Sequence, residues 1–287
     1  MYGGFRTVPD DPSDRTFAGA YQCDVTSEDD LRKAFCASNP DIVFYLAGQS
    51  SVGRSFAIPV ETWRSNALGL VHTIANLKDR NARIVYAASG ECFGATPASD
   101  PANEHTRFRP LSPYAAAKCA GHHAVEAARA TGQNICSAFL FSHESPARKE
   151  SFVVGKTLAA AQRIAAGSAE TLQLGDISVV RDWGHASEYV EALVRIGEYP
   201  DPEDFIIATG YSCSLQSMVS EIFQAFGLDW RQHVTLEASP RPADLPTQFA
   251  DPGKAMRLLG WKARLRGSDL ARELASSSEY AMGHGRP

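Results

Sequence analysis

Two short apolar runs limit what this chain can fold into. Ile42-Val43-Phe44-Tyr45-Leu46-Ala47 and Ile84-Val85-Tyr86-Ala87-Ala88 are each closed by small or polar residues, and neither alternates. A strand with one wet face alternates between apolar and polar; a strand covered by helices on both faces does not. A helical pattern from about Val60 to Lys78 lies between the two runs. A second pass repeats the theme with a helix from Pro113 to about Ala130, stopped at Gly132, and a strand from Ile135 to Phe141. Strand, helix, strand, helix, strand predicts an α/β fold built on a doubly wound parallel sheet.

After residue 145 the texture changes. A helix is predicted from Phe152 to Ala166, short strands near Leu172 and at Phe205 to Ala208, and helices at Leu215 to Phe226 and Asp269 to Ala275. Ala238 to Pro252 holds four prolines and reads as a loop wrapping a ligand or an edge. Residues 1 to 16 are polar, contain Pro9 and Pro12, and read as an irregular arm.

Composition excludes some partners. A formal net charge of −5 argues against nucleic acid. No apolar run reaches membrane-spanning length and no signal-peptide pattern opens the chain, so no membrane partner is expected. The six cysteines form no C-x-x-C pair, which fits a reduced, cytoplasmic protein better than a disulfide framework. The eight histidines show no metal-site spacing, and no metal is expected. Adjacent His122 and His123 cannot share one helix face, so they read as surface or incidental packing.

The chemistry gathers around one helix start. Ser112 is a good N-cap and Pro113 suits the first helical position. Tyr114 and Lys118 then fall four residues apart on one face. An ammonium beside a phenol favours the phenolate, which makes Tyr114 a candidate base. Taken alone, this spacing equally describes a tyrosine and a lysine on a solvated helix. Its context is more telling: the strand ending at Ala88 is followed by Ser89-Gly90-Glu91, and ligands of parallel sheets sit at the carboxyl ends of strands. A hydroxyl, a carboxylate, a phenol and an ammonium are expected to meet there.

These residues carry a resemblance. Ala88-Ser89-Gly90-Glu91-Cys92-Phe93-Gly94 and Ser112-Pro113-Tyr114-Ala115-Ala116-Ala117-Lys118 resemble the extended short-chain dehydrogenase/reductase family. Phe141-Ser142-His143-Glu144-Ser145-Pro146-Ala147-Arg148, Leu174-Gly175-Asp176, Arg181-Asp182-Trp183-Gly184-His185, Pro202 to Gly210 and Leu259-Gly260-Trp261 are similar to the GDP-mannose 4,6-dehydratases within it. The likeness runs in order from about Asp24 to the C-terminal helix.

The resemblance implies an NADP-dependent lyase acting on GDP-mannose, with Ser89, Glu91, Tyr114 and Lys118 as the catalytic set. Cofactor contacts are implied at Asp24 and Val25, at Leu46, Ala47, Gly48, Gln49 and Ser50, and at Lys118, His143 and Arg148. Substrate contacts are implied at Ser142 and Lys156, and at Arg181 and Arg241, whose guanidinium forks match phosphate geometry. Trp183 reads as core packing. The implied division is an incomplete NADP-binding Rossmann domain at 1–144, with parts of 175–210, and a smaller C-terminal substrate-binding domain at 145–174 and 211–287. A homo-oligomer, dimer or tetramer, is expected.

The chain departs from the family at its start. The family opens with a strand, a G-x-x-G-x-x-G turn and a helix, where backbone N–H groups meet the pyrophosphate. No such turn occurs in these 287 residues, and about thirty residues, one βαβ unit's worth, lack a counterpart. Ser142 stands where the family has Asn, and Glu61 where it has a cofactor-contacting Tyr. The Ile42 strand is therefore expected to be a sheet edge, with the segment Ala18 to Val25 either moving beside it or staying loosely packed. The chain on its own is then expected to hold no NADP and to dehydrate no GDP-mannose. A cofactor-free homologue that only binds a nucleotide sugar, or another epimerase, dehydratase or reductase of nucleotide sugars, stays open as an alternative.

Overall fold

The structure is a computed structural model that describes residues 2–6, 18–237 and 244–283. The chain opens with β1 (Tyr2–Phe5) and β2 (Gly19–Gln22), followed by α1 (Glu28–Ser38) and β3 (Ile42–Tyr45). A helical stretch comes next: α2 (Val52–Ala57), α3 (Pro59–Trp63), a π-helical turn (Arg64–Leu68) and α4 (Gly69–Asn76). Then come β4 (Arg83–Ser89), a 3₁₀ turn (Gly90–Phe93), α5 (Pro113–Ala130), β5 (Ile135–Leu140), β6 (Ser142–Glu144) and α6 (Val153–Ala165). The remainder is β7 (Leu172–Leu174), β8 (Val180–His185), α7 (Ala186–Glu198), β9 (Phe205–Ile207), β10 (Ser212–Ser214), α8 (Leu215–Ala225), β11 (Val234–Leu236), α9 (Gly253–Leu259) and α10 (Gly267–Gly283).

The chain divides into two compact units, and the first holds residues 1–92, 110–138 and 196–204. Here β3 runs parallel to β4, with Ile42 opposite Arg83, and the Ile84 amide donates to the Asn134 carbonyl just before β5. All of β4 is buried, whereas Ile42, Val43 and Phe44 of β3 are only half-buried. This is the contrast between an inner strand and an edge. The helix α5 packs on β4, and Gly121 allows it: a Cβ there would strike the hydroxyl of Tyr86. Buried Arg83 closes the far end of the sheet, donating to the Pro200 carbonyl and, at 2.7 Å, to Asn134 Oδ1.

The second unit holds 93–109, 139–195 and 205–287. Its core joins α6, α8 and α10 through Leu158, Ile164, Met218, Ile222, Phe223 and Leu274, with Trp183 of β8 among them. The strand β8 runs parallel to β6 and antiparallel to β10. Buried Glu188 accepts from the amides of Arg264 and Leu265 and from Arg264 Nε, while its carbonyl takes the Trp261 indole N–H. That clasp holds residues 261–265 in place.

The structure corrects three expectations. Tyr2–Phe5 is a strand rather than part of an irregular arm; Gly3 and Gly4 hid it, because a strand signal is carried by side chains that glycine lacks. Gly19–Gln22 does not pair with the Ile42 strand; it pairs in parallel with that opening strand, Tyr2 opposite Gly19, and its residues alternate between half-buried and exposed. His122 is not surface or incidental packing: it is buried, with Nδ1 2.8 Å from the Ser137 hydroxyl, while His123 is exposed. The helices α1, α2, α7 and α9 arise where no helix was predicted.

Candidate active site

All four members of the expected catalytic set belong to the first unit. Ser89 is the last residue of β4, and its hydroxyl accepts the Glu91 amide at 3.2 Å, so the 3₁₀ turn folds back over the strand end. Half-buried Glu91 thereby sits two residues past the strand end, its backbone tied to the Ser89 hydroxyl. On α5, the Ser112 hydroxyl caps the helix by accepting the Ala115 amide at 3.1 Å, with Pro113 in the first turn. Tyr114 therefore enters at the positive end of the helix dipole. One turn later, Lys118 Nζ donates to the Ala87 carbonyl at 2.7 Å. That amine lies 5.0 Å from the Tyr86 ring centroid and 5.9 Å from that of Tyr114. The strand end and the helix start are thus joined through the lysine.

Burial pushes Lys118 down to about 8 from its ordinary 10.5. The ammonium is the form that burial penalises. Below pH 8 the folded protein bears that cost in full. Between about 8 and 10.5 the folded amine has shed its proton while the unfolded lysine keeps it, so stability due to this group rises with pH. The unfolding free energy of the wild type minus that of Lys118→Met is expected to rise by up to about 3 kcal/mol over this window. Denaturant titrations at several pH values measure it. A flat difference would mean that Lys118 is not desolvated.

The expected cofactor residues fall in two places. In the first unit, Leu46 to Ser50 form the turn at the carboxyl end of β3. Gly48 takes φ +143 there, and Asn66 Nδ2 pins the turn by donating to the Gln49 carbonyl at 3.0 Å. Asn66 sits in the π-helical turn and is fully buried, and its Oδ1 has no partner. Leu46 is 58% exposed at this strand end. Asp24 follows β2, where the Thr26 amide and hydroxyl hold its carboxyl below the usual range, and Arg6 lies 3.5 Å away. In the second unit, His143 Nδ1 donates to the Phe141 carbonyl at 2.9 Å, and its ring packs on Tyr189. Burial pushes His143 below the usual imidazole range. Arg148 Nε binds buried Glu144 at 2.6 Å.

The expected substrate residues are mostly engaged with the chain itself. Ser142 opens β6 opposite Trp183. Lys156 Nζ donates to the Gln173 carbonyl at 2.7 Å. Arg181 donates to the Val180 and Leu245 carbonyls and pairs with Asp244 at 3.2 Å. Arg241 lies outside the described residues. Asn66 and Arg6, which contact the expected cofactor residues Gln49 and Asp24, were not singled out from the sequence; an asparagine inside a predicted helix was the available signal for the first, since asparagine is a poor helix former.

A nicotinamide cofactor fits this site unevenly. The open Leu46 face, the pinned turn and the Tyr114–Lys118 pair suit the nucleoside ends. The diphosphate end has no glycine-rich turn anywhere in the sequence to receive it.

Parallel strands with this serine at a carboxyl end, and this tyrosine and lysine on the helix that follows, define a Rossmann-type fold of the short-chain dehydrogenase/reductase class. The RMD protein of Pseudomonas aeruginosa complexed with NADPH has the same fold, with a TM-score of 0.83 at 23% identity over 92% of this chain and 91% of that one. The family model for GDP-mannose 4,6 dehydratase matches residues 6–274, and the chain belongs to that family. GDP-mannose 4,6 dehydratase 1 of Arabidopsis thaliana is 37% identical over 250 residues, which are 84% of this chain and 69% of that protein. The GDP-mannose 4,6-dehydratase of Sinorhizobium fredii is 32% identical over 287 aligned residues, covering 92% and 81%.

Proposed function

We propose that this chain converts GDP-mannose to GDP-4-keto-6-deoxymannose. The observation that carries the reading is Glu91, folded against Ser89 at the end of β4. Plain hydride delivery needs a phenol, a hydroxyl and an ammonium; removing water from a sugar needs a further acid/base group, and a carboxylate supplies it. This disfavours a reductase or an epimerase. Support also comes from the family match across most of the chain.

Each group has a task in this reading. Tyr114 takes the proton of the sugar 4-hydroxyl, Ser89 hydrogen-bonds the oxygen, and the Lys118 ammonium favours the phenolate. A nicotinamide cofactor, when bound, supplies the acceptor that takes a hydride from C4 and returns it at C6. The C4 ketone acidifies the C5 proton. Glu91 removes that proton and assists departure of the 6-hydroxyl as water. No net oxidation results. Asp24, Val25 and Leu46 to Ser50 hold the adenine side, and Lys118, His143 and Arg148 the remainder, with NADP as the form used. Ser142, Lys156, Arg181 and Arg241 take the nucleotide sugar; Arg181 would exchange Asp244 for a phosphate oxygen. We place the protein in the cytoplasm, in keeping with its six free cysteines.

The test supplies GDP-mannose with added NADP and follows the sugar by NMR. A new C6 methyl signal is expected with the cofactor in excess; the family match over residues 6–274 here outweighs the expectation, drawn from the missing glycine-rich turn, that the chain dehydrates no GDP-mannose. Calorimetry with GDP-mannose, UDP-glucose and CDP-glucose should show preference for the first. Equal or absent binding for all of them would sink the GDP assignment. Binding without product at saturating NADP would favour the non-catalytic homologue.

We also assign an apolar strip to a second copy of the chain. Val60, Trp63, Leu68 and Val71 are exposed along α3, the π turn and α4, lining a groove of about 590 Å³ in which Arg64 is the lone charged lining residue. A two-fold contact sets like against like, which suits an apolar surface and not a charged one. The wild type is expected to sediment as a dimer or larger, and Leu68→Glu as a monomer. A monomeric wild type would overturn this.

A further inference from the structure

Two buried thiols lie directly behind the tetrad. Cys92 follows Glu91 in the 3₁₀ turn, and Cys119 follows Lys118 in α5, 27 positions later. Cys119 Sγ is 3.9 Å from the Cys92 carbonyl oxygen, and Cys92 Sγ is 4.0 Å from the Ala115 carbonyl oxygen. Each sulfur thus touches the segment that carries the other. Cys92 is fully buried and Cys119 is 6% exposed. No C-x-x-C spacing announces the pair; the packing of α5 against the strand end creates it.

We propose that Cys92 and Cys119 are a modification site, a dithiol that a hydroperoxide converts to a reversible disulfide joining the two segments that carry the tetrad. Sulfurs packed against each other's segments need little movement to bond. Their surroundings divide the labour. The neighbouring Cys92 side chain holds the Cys119 thiol below its ordinary range, whereas burial pushes Cys92 up. The Lys118 ammonium acts on the Cys92 sulfur and helps stabilise its anion as it forms.

The steps balance. The Cys119 thiolate attacks one peroxide oxygen; an S–O bond forms, the O–O bond breaks, and the departing oxygen leaves as water or alcohol with a proton. The Cys92 sulfur then attacks the Cys119 sulfur. The S–S bond forms, the S–O bond breaks, and hydroxide leaves with the Cys92 proton as water. Two thiols are oxidised and one peroxide is reduced. The other cysteines are less suited: burial raises Cys23 and Cys136, and Cys213 is pushed up to about 11. A closed disulfide would fix the turn of Glu91 to the helix of Tyr114, whatever chemistry those groups perform.

The test treats the full 287-residue protein with hydrogen peroxide, blocks remaining thiols in denaturant and maps the peptides by mass spectrometry. The expected product joins the Cys92 and Cys119 peptides with the loss of two hydrogens, and dithiothreitol reverses it. In Cys92→Ser, which lacks the resolving sulfur, dimedone should trap a sulfenic acid at Cys119. If that variant does not fold, Cys36→Ser, altered at an exposed position on α1, gives a second test. It should form the same linkage as the wild type. A protein in which peroxide oxidises Cys36 while Cys92 and Cys119 stay free would overturn the proposal, as would a linkage that requires Cys36.

Discussion

Tyr114→Phe is expected to cut dehydration of GDP-mannose by about 10²–10⁴-fold at saturating NADP, the range spanned by a positioned general base. Only the hydroxyl is lost, and the ring stays on α5 in its buried position. The cap at Ser112 and the bond from Lys118 to the Ala87 carbonyl do not involve that hydroxyl. The defect should therefore fall on kcat, with thermal stability little changed. Glu91→Gln is expected to show a loss of similar size at a different step. Exchange of the sugar C5 proton with solvent deuterium reads that step directly, and it should stop in Glu91→Gln. A Tyr114→Phe protein within a few-fold of the wild type would remove the phenol from the mechanism. Continued C5 exchange in Glu91→Gln would remove the carboxylate.

NADP is expected to bind this chain about 10²–10⁴-fold more weakly than it binds a family member carrying the glycine-rich turn. The turn presents backbone N–H donors at a helix N-terminus, and each donor to a charged oxygen contributes about 1.5–3 kcal/mol. Losing two such donors accounts for the range. The protein as purified should then be free of NADP and should need added cofactor. Absorbance and mass spectrometry after denaturation, with a binding titration beside such a relative, measure this. Stoichiometric NADP in the purified chain would overturn the expectation and require a phosphate cradle from elsewhere in the chain or from a partner subunit.

Local chemistry made the helix of the active site legible. Ser112, Pro113 and Gly132 mark its ends, and the structure places it at Pro113–Ala130. The strand Arg83–Ser89 was legible because burial on both faces leaves an unbroken apolar run. The strand Tyr2–Phe5 was not, since its middle residues are glycines. Helix Ala186–Glu198 was also hidden, although Glu188 and Tyr189 are among the better-buried residues of the second unit. Those residues are polar or amphipathic in sequence, and their burial depends on a clasp with Arg264 and Trp261 more than seventy positions away.

The sequence by itself determined the parallel α/β class and the spacing that sets Tyr114 and Lys118 on one face. Both follow from short-range rules: side-chain period, capping, and which residues tolerate burial. Tertiary structure alone decided the electrostatic state of the site and its surroundings. Lys118 falls to about 8 because the packed sheet removes water from it. Asn66 reaches the Gln49 carbonyl because a π turn rotates it inward. Arg181 meets Asp244 across 63 positions, and Cys92 meets Cys119 across 27. Desolvation and contact depend on which distant segments come together, and no local pattern of residues encodes that distance.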